Sequence, residues 1–112
     1  MNDRIKESDW KIFKELRPLA LQRYCKSIMV DVDKIILDIE GDAHERYIEM
    51  YKIVQDGDEK LAHMFDGFSR SKALDQLVMY YGNDLLSDEE IAQFSDEAQE
   101  RIHTILKLWK EL

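Results

Sequence analysis

The sequence predicts an all-α fold, an antiparallel bundle of four to five helices that forms a single domain over residues 1–112. Apolar residues recur at steps of three and four along most of the chain, which is the period of one helix face. One proline and four glycines leave few points at which helices can end. The composition, 45% hydrophobic and 36% charged, is typical of amphipathic helices with charged outer faces. A chain of this length buries about two thirds of its unfolded surface, so it needs no disulfide or metal to fold.

The first predicted helix is the longest. Its apolar stripe consists of Trp10, Phe13, Leu16, Ala20, Tyr24, Ile28, Val32, Ile35, Ile36 and Ile39. Pro18 lies within the stripe and removes one backbone hydrogen bond. Because the stripe keeps its phase across Pro18, we favour one long helix kinked near this residue, and the alternative is a second helix that starts there. Ser8 or Asp9 is predicted to cap its start, and Gly41 to end it in the left-handed conformation.

A second helix is predicted over residues 43–55. Asp42 and Glu45 form a capping-box pattern at its start. The Asp-Gly-Asp sequence at residues 56–58 is predicted to end it. The apolar residues of this helix are Tyr47, Ile48, Met50, Tyr51 and Val54.

A third helix is predicted from Asp58 to Gly82. Its apolar residues are Leu61, Met64, Phe65, Phe68, Leu74, Leu77, Val78 and Tyr81. The periodicity fades over residues 67–72, and we favour a helix that continues through this stretch, with a break there as the alternative. Gly82 or Asn83 is predicted to end the helix, since either residue can adopt positive φ.

Two further helices are predicted near the end of the chain. Ser87 and Glu90 form a second capping-box pattern, which predicts a short helix. Ser95 is predicted to cap the final helix. The apolar residues of that helix are Ala98, Ile102, Ile105, Leu106, Trp109 and Leu112.

The net charge of −8 is unevenly distributed, with +3 in residues 1–28 and −11 in residues 29–112. We expect the basic first helix to lie against acidic neighbours, and the alternative is a basic partner on the acidic face. Cys25 is the single cysteine and cannot form an internal disulfide, which is typical of a reducing compartment. The first 14 residues lack the apolar run of a secretory signal, so we expect a cytoplasmic protein.

The sequence offers no candidate catalytic, cofactor-binding or metal-binding residues. Glu100 and His103 have the spacing of a di-iron helix motif, but such sites need a second pair and two further glutamates. Asp56 and Asp58 resemble the opening of a calcium loop, but the later ligands of that loop are missing. Three histidines lie on different predicted helices: His44, His63 and His103. The sequence leaves open whether these histidines converge.

Met79, Tyr80 and Tyr81 form the candidate interaction surface. The chain has eleven aromatic residues, more than a small core needs, and two adjacent tyrosines cannot both point into the core. As one rod, residues 9–39 would measure about 45 Å, which is long for the bundle that the remaining helices can form. An overhanging apolar stripe must be covered by a kink in the first helix or by a second copy, which favours a homodimer.

These features favour a non-enzymatic protein-interaction or regulatory protein, with homodimerisation as one form of that function. The alternative is a small metal-binding protein or enzyme that uses His and carboxylate groups. A second alternative is a nucleic-acid-binding accessory protein that acts through the first helix, although the acidic net charge disfavours it. We expect a protein partner or a second copy, and no membrane partner or cofactor.

Residues 43–47 (Ala-His-Glu-Arg-Tyr) and residues 85–95 (Leu-Leu-Ser-Asp-Glu-Glu-Ile-Ala-Gln-Phe-Ser) carry a resemblance to a known group of sequences. In these stretches the chain resembles a family of small uncharacterised bacterial proteins that are all-helical and cytoplasmic. The resemblance implies a cytoplasmic bacterial protein and no particular activity.

Overall fold

The computed structural model describes residues 5–112, and this part of the chain is helical with no strand. Its helices in chain order are α1 (Glu7–Leu37), α2 (Ala43–Phe65), α3 (Ala73–Gly82), α4 (Asp88–Ile91) and α5 (Asp96–Lys110). The all-α prediction is therefore confirmed. The first helix continues through Pro18, as the unbroken phase of its apolar stripe predicted.

The two long helices α1 and α2 form an antiparallel hairpin. Arg46, near the start of α2, donates from Nε to the carbonyl of Ile35 (3.0 Å) and from Nη2 to the carbonyl of Ile36 (2.6 Å). The last carbonyls of a helix have no partner within it, so Arg46 satisfies two of them while joining the helices. Further along the hairpin, the Tyr24 hydroxyl donates to the buried carbonyl of Gly57 (2.6 Å).

The shorter helices α3, α4 and α5 pack on the half of the hairpin remote from its turn, and together with that half they form what we call the head. Phe13 and Tyr80 stack at its centre, with ring centroids 6.2 Å apart. The buried apolar core consists of Ile5, Phe13, Leu16, Ala20, Tyr24, Met64, Phe65, Ala73, Leu74, Leu77, Val78, Tyr80, Leu85, Leu86, Ile91, Phe94, Ala98 and Ile102. The other half of the hairpin, near the turn, extends beyond the head.

The resulting molecule is elongated. Its principal extents are 55 × 30 × 24 Å and its radius of gyration is 17.0 Å. A compact domain of this length would have a radius of gyration of about 13 Å. The excess follows from α1, whose 31 residues span about 46 Å.

The boundary between the second and third helices is not where the sequence placed it, and the predicted break at residues 56–58 is wrong. Gly57 lies inside α2 because it is buried against Ile28, where an added Cβ would come within 2.9 Å of the Ile28 Cδ1 atom. The glycine thus permits close packing of the two helices while its carbonyl accepts the bond from Tyr24. A tertiary contact therefore outweighs the local helix-breaking tendency of glycine.

The predicted continuity through residues 67–72 is also wrong, because α2 ends at Phe65 and α3 begins at Ala73. Gly67 has φ +83°, a left-handed conformation that ends the helical path. Gln76 stabilises the break from α3, since its Nε2 donates to the carbonyls of Asp66 (3.1 Å) and Gly67 (2.9 Å).

Three predicted helix ends are also corrected. The helix α1 begins at Glu7 with Lys6 as N-cap, and neither Ser8 nor Asp9 caps it. Gly41 does not adopt the left-handed conformation. α3 ends at Gly82, as predicted, but the left-handed residue that follows is Asp84, with φ 60°.

The caps predicted at Asp42, Ser87 and Ser95 are confirmed, whereas Asp58, predicted to cap the third helix, lies inside α2. At Asp42 only the first of the two capping-box bonds forms. Asp42 accepts from the backbone N–H of Glu45 (3.0 Å). Ser87 and Glu90 form the reciprocal capping box at α4. The hydroxyl of Ser95 accepts from the N–H of Ala98 at the start of α5. These bonds are local, which explains why sequence spacing alone locates them.

Candidate interaction surface

The half of the hairpin near the turn exposes many large apolar side chains. Those exposed on this half are Met29, Val30, Ile36, Leu37, Ile39, Tyr47, Ile48, Tyr51 and Val54. Exposed apolar residues are ordinary when scattered, but a group of this size along two helices is a candidate interaction surface. The sequence assigned most of these residues to helix stripes, and the structure leaves them uncovered.

Five of these side chains and the half-buried Val32 form a regular row along both helices, which we call the hairpin seam. The seam consists of Met29, Val32, Ile36, Tyr47, Tyr51 and Val54. Its spacings along each helix are steps of three and four, the pattern by which helices pack in bundles. Met29, Val32 and Ile36 of α1 and Val54 of α2 border one groove of about 520 Å³, which places these four residues on the same side of the hairpin. Tyr47 and Tyr51 follow Val54 at helical spacing along α2.

The seam is distinct from the surface that holds α1 and α2 together. Ile35, Ile53 and Gly57 lie between the helices and are buried or half-buried. By contrast, Met29 is 68% exposed and Tyr51 is 62% exposed. The hairpin therefore has one apolar face that is buried between its two helices and a second apolar face that is exposed to solvent.

The size of the seam is that of a protein interface. From the exposed fractions of its side chains, the seam presents on the order of 700 Å² of largely apolar surface. The largest apolar patch of a typical monomer measures about 300–600 Å². A standard protein interface buries about 800 Å² per partner. The seam is thus comparable with the largest apolar patches of monomers and approaches the area of a standard interface.

The residues at the inner end of the groove include no buried charged side chain that lacks a partner. Burial, and then the neighbouring Cys25 and Asp58, raise the pKa of Tyr24, so its hydroxyl stays neutral and donates to Gly57. Cys25 is half-buried at the edge of the groove. The lining of the groove is mainly apolar, with Asp33 and Asp58 among the residues that border it.

The segment that the sequence singled out for interaction lies elsewhere, in the head. Tyr80 is fully buried, with its ring stacked on Phe65 at 4.7 Å, so it cannot meet a partner in this conformation. Met79 and Tyr81 are half-buried. The Tyr81 hydroxyl donates to Asp88 Oδ1 (2.5 Å), and this bond raises the pKa of Tyr81. An interaction surface here is reduced to Met79 and Tyr81 and stays a prediction.

A cleft of about 1050 Å³ lies beside Met79, between the hairpin and the end of α5. His63, Met79 and Trp109 are among the side chains that line it. His103 is not in this cleft and packs edge-on against Tyr81, with ring centroids 5.7 Å apart. Within residues 5–112, no group of three or more His, Cys, Asp or Glu side chains is placed to hold a metal ion.

The basic residues of α1 are only partly matched by acidic neighbours. Lys6 contacts Glu97 (3.5 Å), and Arg23 contacts Glu90 (2.7 Å). The predicted contact between the basic helix and acidic neighbours therefore holds for these two residues. Lys14 instead lies over the ring of Trp10, 5.6 Å from its centroid.

The chain matches no protein-family profile, no curated protein and no solved structure. The predicted kinship with small bacterial helical proteins thus stays a prediction. None of the helices in the described range combines the length and the apolar character required to cross a lipid bilayer.

The sequence did contain one signal for the seam. The length of α1 exceeds what the shorter helices can cover, and this mismatch predicted an overhanging stripe. The sequence did not indicate that α2 contributes to the seam, because Tyr47, Tyr51 and Val54 have the same spacing as core residues.

Proposed function

We propose that this protein is a non-enzymatic interaction protein whose hairpin seam binds a second copy of the chain. The observation that carries the proposal is the seam itself, a two-helix apolar face of interface size that nothing in the described chain covers. Two hairpins placed seam to seam would form a four-helix bundle, the standard way in which such stripes are buried.

A second copy fits the seam because the same pattern is present on both sides of a two-fold interface. Each seam offers aliphatic side chains on α1 and tyrosines on α2, so aromatic rings of one copy can pack on aliphatic side chains of the other. Tyrosine suits such interfaces, since its ring packs while its hydroxyl reaches water at the edge. The proposal therefore needs no partner of different chemistry.

On α1, the residues that face the head lie on the opposite side of the helix from the seam. Leu16 and Ala20 of α1 face the core of the head and are buried. At about 100° per residue, they lie roughly 120–160° around the helix from Val32 of the seam. On α2, the head ends the seam, because buried Phe65 lies in line with Val54 and stacks on Tyr80. A second copy would therefore pack on the part of the seam between Phe65 and the turn.

Sedimentation equilibrium over a range of protein concentrations tests the proposal. We expect dimers with a Kd in the micromolar range or below, and monomers for Ile36→Glu and Tyr51→Glu, because a charge in the bundle core is costly to bury. Both residues are exposed in the single copy, so the variants keep its fold. Leu108→Glu is the matched control, since Leu108 is also exposed but lies on α5.

Two outcomes would contradict this proposal. One is a wild-type mass that stays monomeric at about 100 μM, a concentration at which micromolar association is essentially complete. The other is equal weakening of the dimer by the seam variants and by Leu108→Glu, which would locate the interface away from the seam.

A further inference from the structure

Resting on the proposed function, we infer how the two copies are arranged: α1 of one copy packs against α2 of the other, with both heads at the same end. The two-fold axis then runs parallel to the hairpin. The structure points to this arrangement through the side chains that flank the seam, because their charges and apolar groups match across it.

Residue numbers identify which parts of the two helices are level with each other. Ile28 and Gly57 are in contact across the hairpin, and their numbers add to 85. Since both helices rise by the same 1.5 Å per residue in opposite directions, pairs whose numbers add to 85 lie within about one helical turn of the same level, the range that the Tyr24–Gly57 contact also sets. A two-fold axis parallel to the helices keeps these levels equal between copies.

The outer flank of each helix, beside the seam and away from the other helix of the hairpin, presents exposed side chains at four levels. At three of these levels lie Lys26, Asp33 and Leu37 on α1 and Glu59, Lys52 and Ile48 on α2, and at the fourth lie Val30 and Gln55. At about 100° per residue, each set lies within roughly 40° of a common line along its helix. The two flanks face each other when α1 packs on α2 of the second copy.

The two flanks are complementary at three of these four levels, the exception being Val30 opposite Gln55. Lys26 is level with Glu59, and Asp33 is level with Lys52, so each cation meets an anion. Within residues 5–112, none of these four side chains has an ion-pair partner.

The exposed apolar residues on the flanks match in the same way. Leu37 is 69% exposed and level with Ile48, which is 49% exposed. All three flank pairs have numbers that add to 85, so one arrangement satisfies them together. By symmetry, each pair occurs twice in the dimer.

The opposite arrangement, with the heads at opposite ends, fits less well. It packs α1 on α1 and α2 on α2, with the axis near the middle of the seam. Asp33 would then lie close to Asp33 of the second copy, and Lys52 close to Lys52. Like charges placed opposite each other are destabilising, so the flanks favour the arrangement with both heads at one end.

A pair of charge-reversed chains tests the arrangement. The first carries Lys26→Glu and Asp33→Lys, which reverses the flank of α1. The second carries Lys52→Glu and Glu59→Lys, which reverses the flank of α2. We expect each chain alone to dimerise at least about tenfold more weakly than wild type, because every flank ion pair becomes a repulsion.

Mixing the two chains is expected to restore association. In the mixed dimer, reversed α1 meets reversed α2 and unchanged α1 meets unchanged α2, so all pairs are complementary again. Native mass spectrometry of the mixture, with one chain isotopically labelled, should show mainly the mixed dimer. The preference should fade near 1 M salt, where ion pairs are screened.

The matched control reverses Asp31 and Lys34, an exposed pair on α1 whose nearest atoms are 3.9 Å apart. Both residues lie off the seam and its flank, so their reversal should leave the dimer unchanged. A wild-type dimer together with reversed chains that each dimerise alone as tightly as wild type would overturn the arrangement while leaving the proposed function intact. The opposite arrangement predicts that result, because it only exchanges one like-charge pair at position 33 or 52 for another. A monomeric wild type would overturn both.

Discussion

Neutralising Glu90 by substitution with Gln should destabilise the head in a way that depends on pH. Its Oε1 accepts from Arg23 Nη1 (2.7 Å) and from the N–H of Ser87 (2.9 Å), while its Oε2 accepts from Arg23 Nη2 (3.0 Å). Arg23 also donates to the carbonyl of Leu85 (2.9 Å). One guanidinium thus ties α1 to both the segment after α3 and the cap of α4.

The magnitude follows from the pKa of Glu90. The hydrogen bonds from Arg23, helped by those from Ser87, lower this pKa from its ordinary 4.5 to about 2. At about 1.4 kcal/mol per pH unit, that difference corresponds to roughly 3 kcal/mol of folded-state stability. Because the Arg23 side chain is 43% exposed and solvent screens the pair, we expect about 1–2 kcal/mol in practice.

The sign of the pH dependence is set by the direction of this shift. A carboxylate whose pKa is lowered in the folded state contributes its full stability above pH 4.5 and loses it as the pH falls towards 2. The difference in free energy of unfolding between wild type and Glu90→Gln should therefore be largest at pH 6–7 and shrink steadily below pH 4.5.

Urea unfolding followed by circular dichroism from pH 7 to pH 3 measures this difference. The protein concentration is held constant, because association would stabilise the folded state. Glu89→Gln is the control, since Glu89 is exposed and changes charge by the same amount. A Glu90→Gln variant as stable as wild type at pH 7, or a difference that does not shrink at pH 3, would refute the reasoning.

Three other substitutions can be followed by urea unfolding at pH 7. Tyr80→Phe should leave the free energy of unfolding unchanged or raise it by up to about 1 kcal/mol, because the buried hydroxyl has no hydrogen bond of normal geometry within residues 5–112; a loss above 1 kcal/mol would show that the hydroxyl accepts from the neighbouring Arg17. Asp9→Ala should cost about 2–4 kcal/mol, since buried Asp9 accepts from the N–H (2.7 Å) and hydroxyl (2.6 Å) of Ser95; an effect below 1 kcal/mol would contradict this. Gly67→Ala should cost about 1–2 kcal/mol because of its φ of +83°, and unchanged stability would show that the segment relaxes.

Local features of the sequence explain the parts of the fold that were predicted correctly. A cap such as Ser87 with Glu90 is made within one helical turn, so the spacing of the two residues is sufficient to locate it. The unbroken stripe across Pro18 likewise predicted one helix, since a change of direction would have shifted the phase. Where the prediction failed, a distant residue decided the outcome. Gly57 stays helical because of Ile28 and Tyr24, which are 29 and 33 positions away in the chain.

Locating the candidate surface required the tertiary structure more than locating the helices did. Periodicity reports that a helix has an apolar face, but it does not report whether another element covers that face. Tyr80 and Tyr51 both follow a helical apolar pattern, yet one is fully buried and the other is 62% exposed. The sequence could therefore predict a surface that contains tyrosines, but it could not show which tyrosines are exposed.

The sequence by itself determined the helical class, the continuity of α1, the local caps and the excess length of the first helix, because each of these depends on neighbours within a few residues. The tertiary structure decided the length of α2, the break at Gly67, the burial of Asp9 beneath the start of α5 and the identity of the uncovered face. The physical reason is that three short helices can cover only part of a hairpin about 46 Å long. Which part stays exposed depends on where α3, α4 and α5 pack.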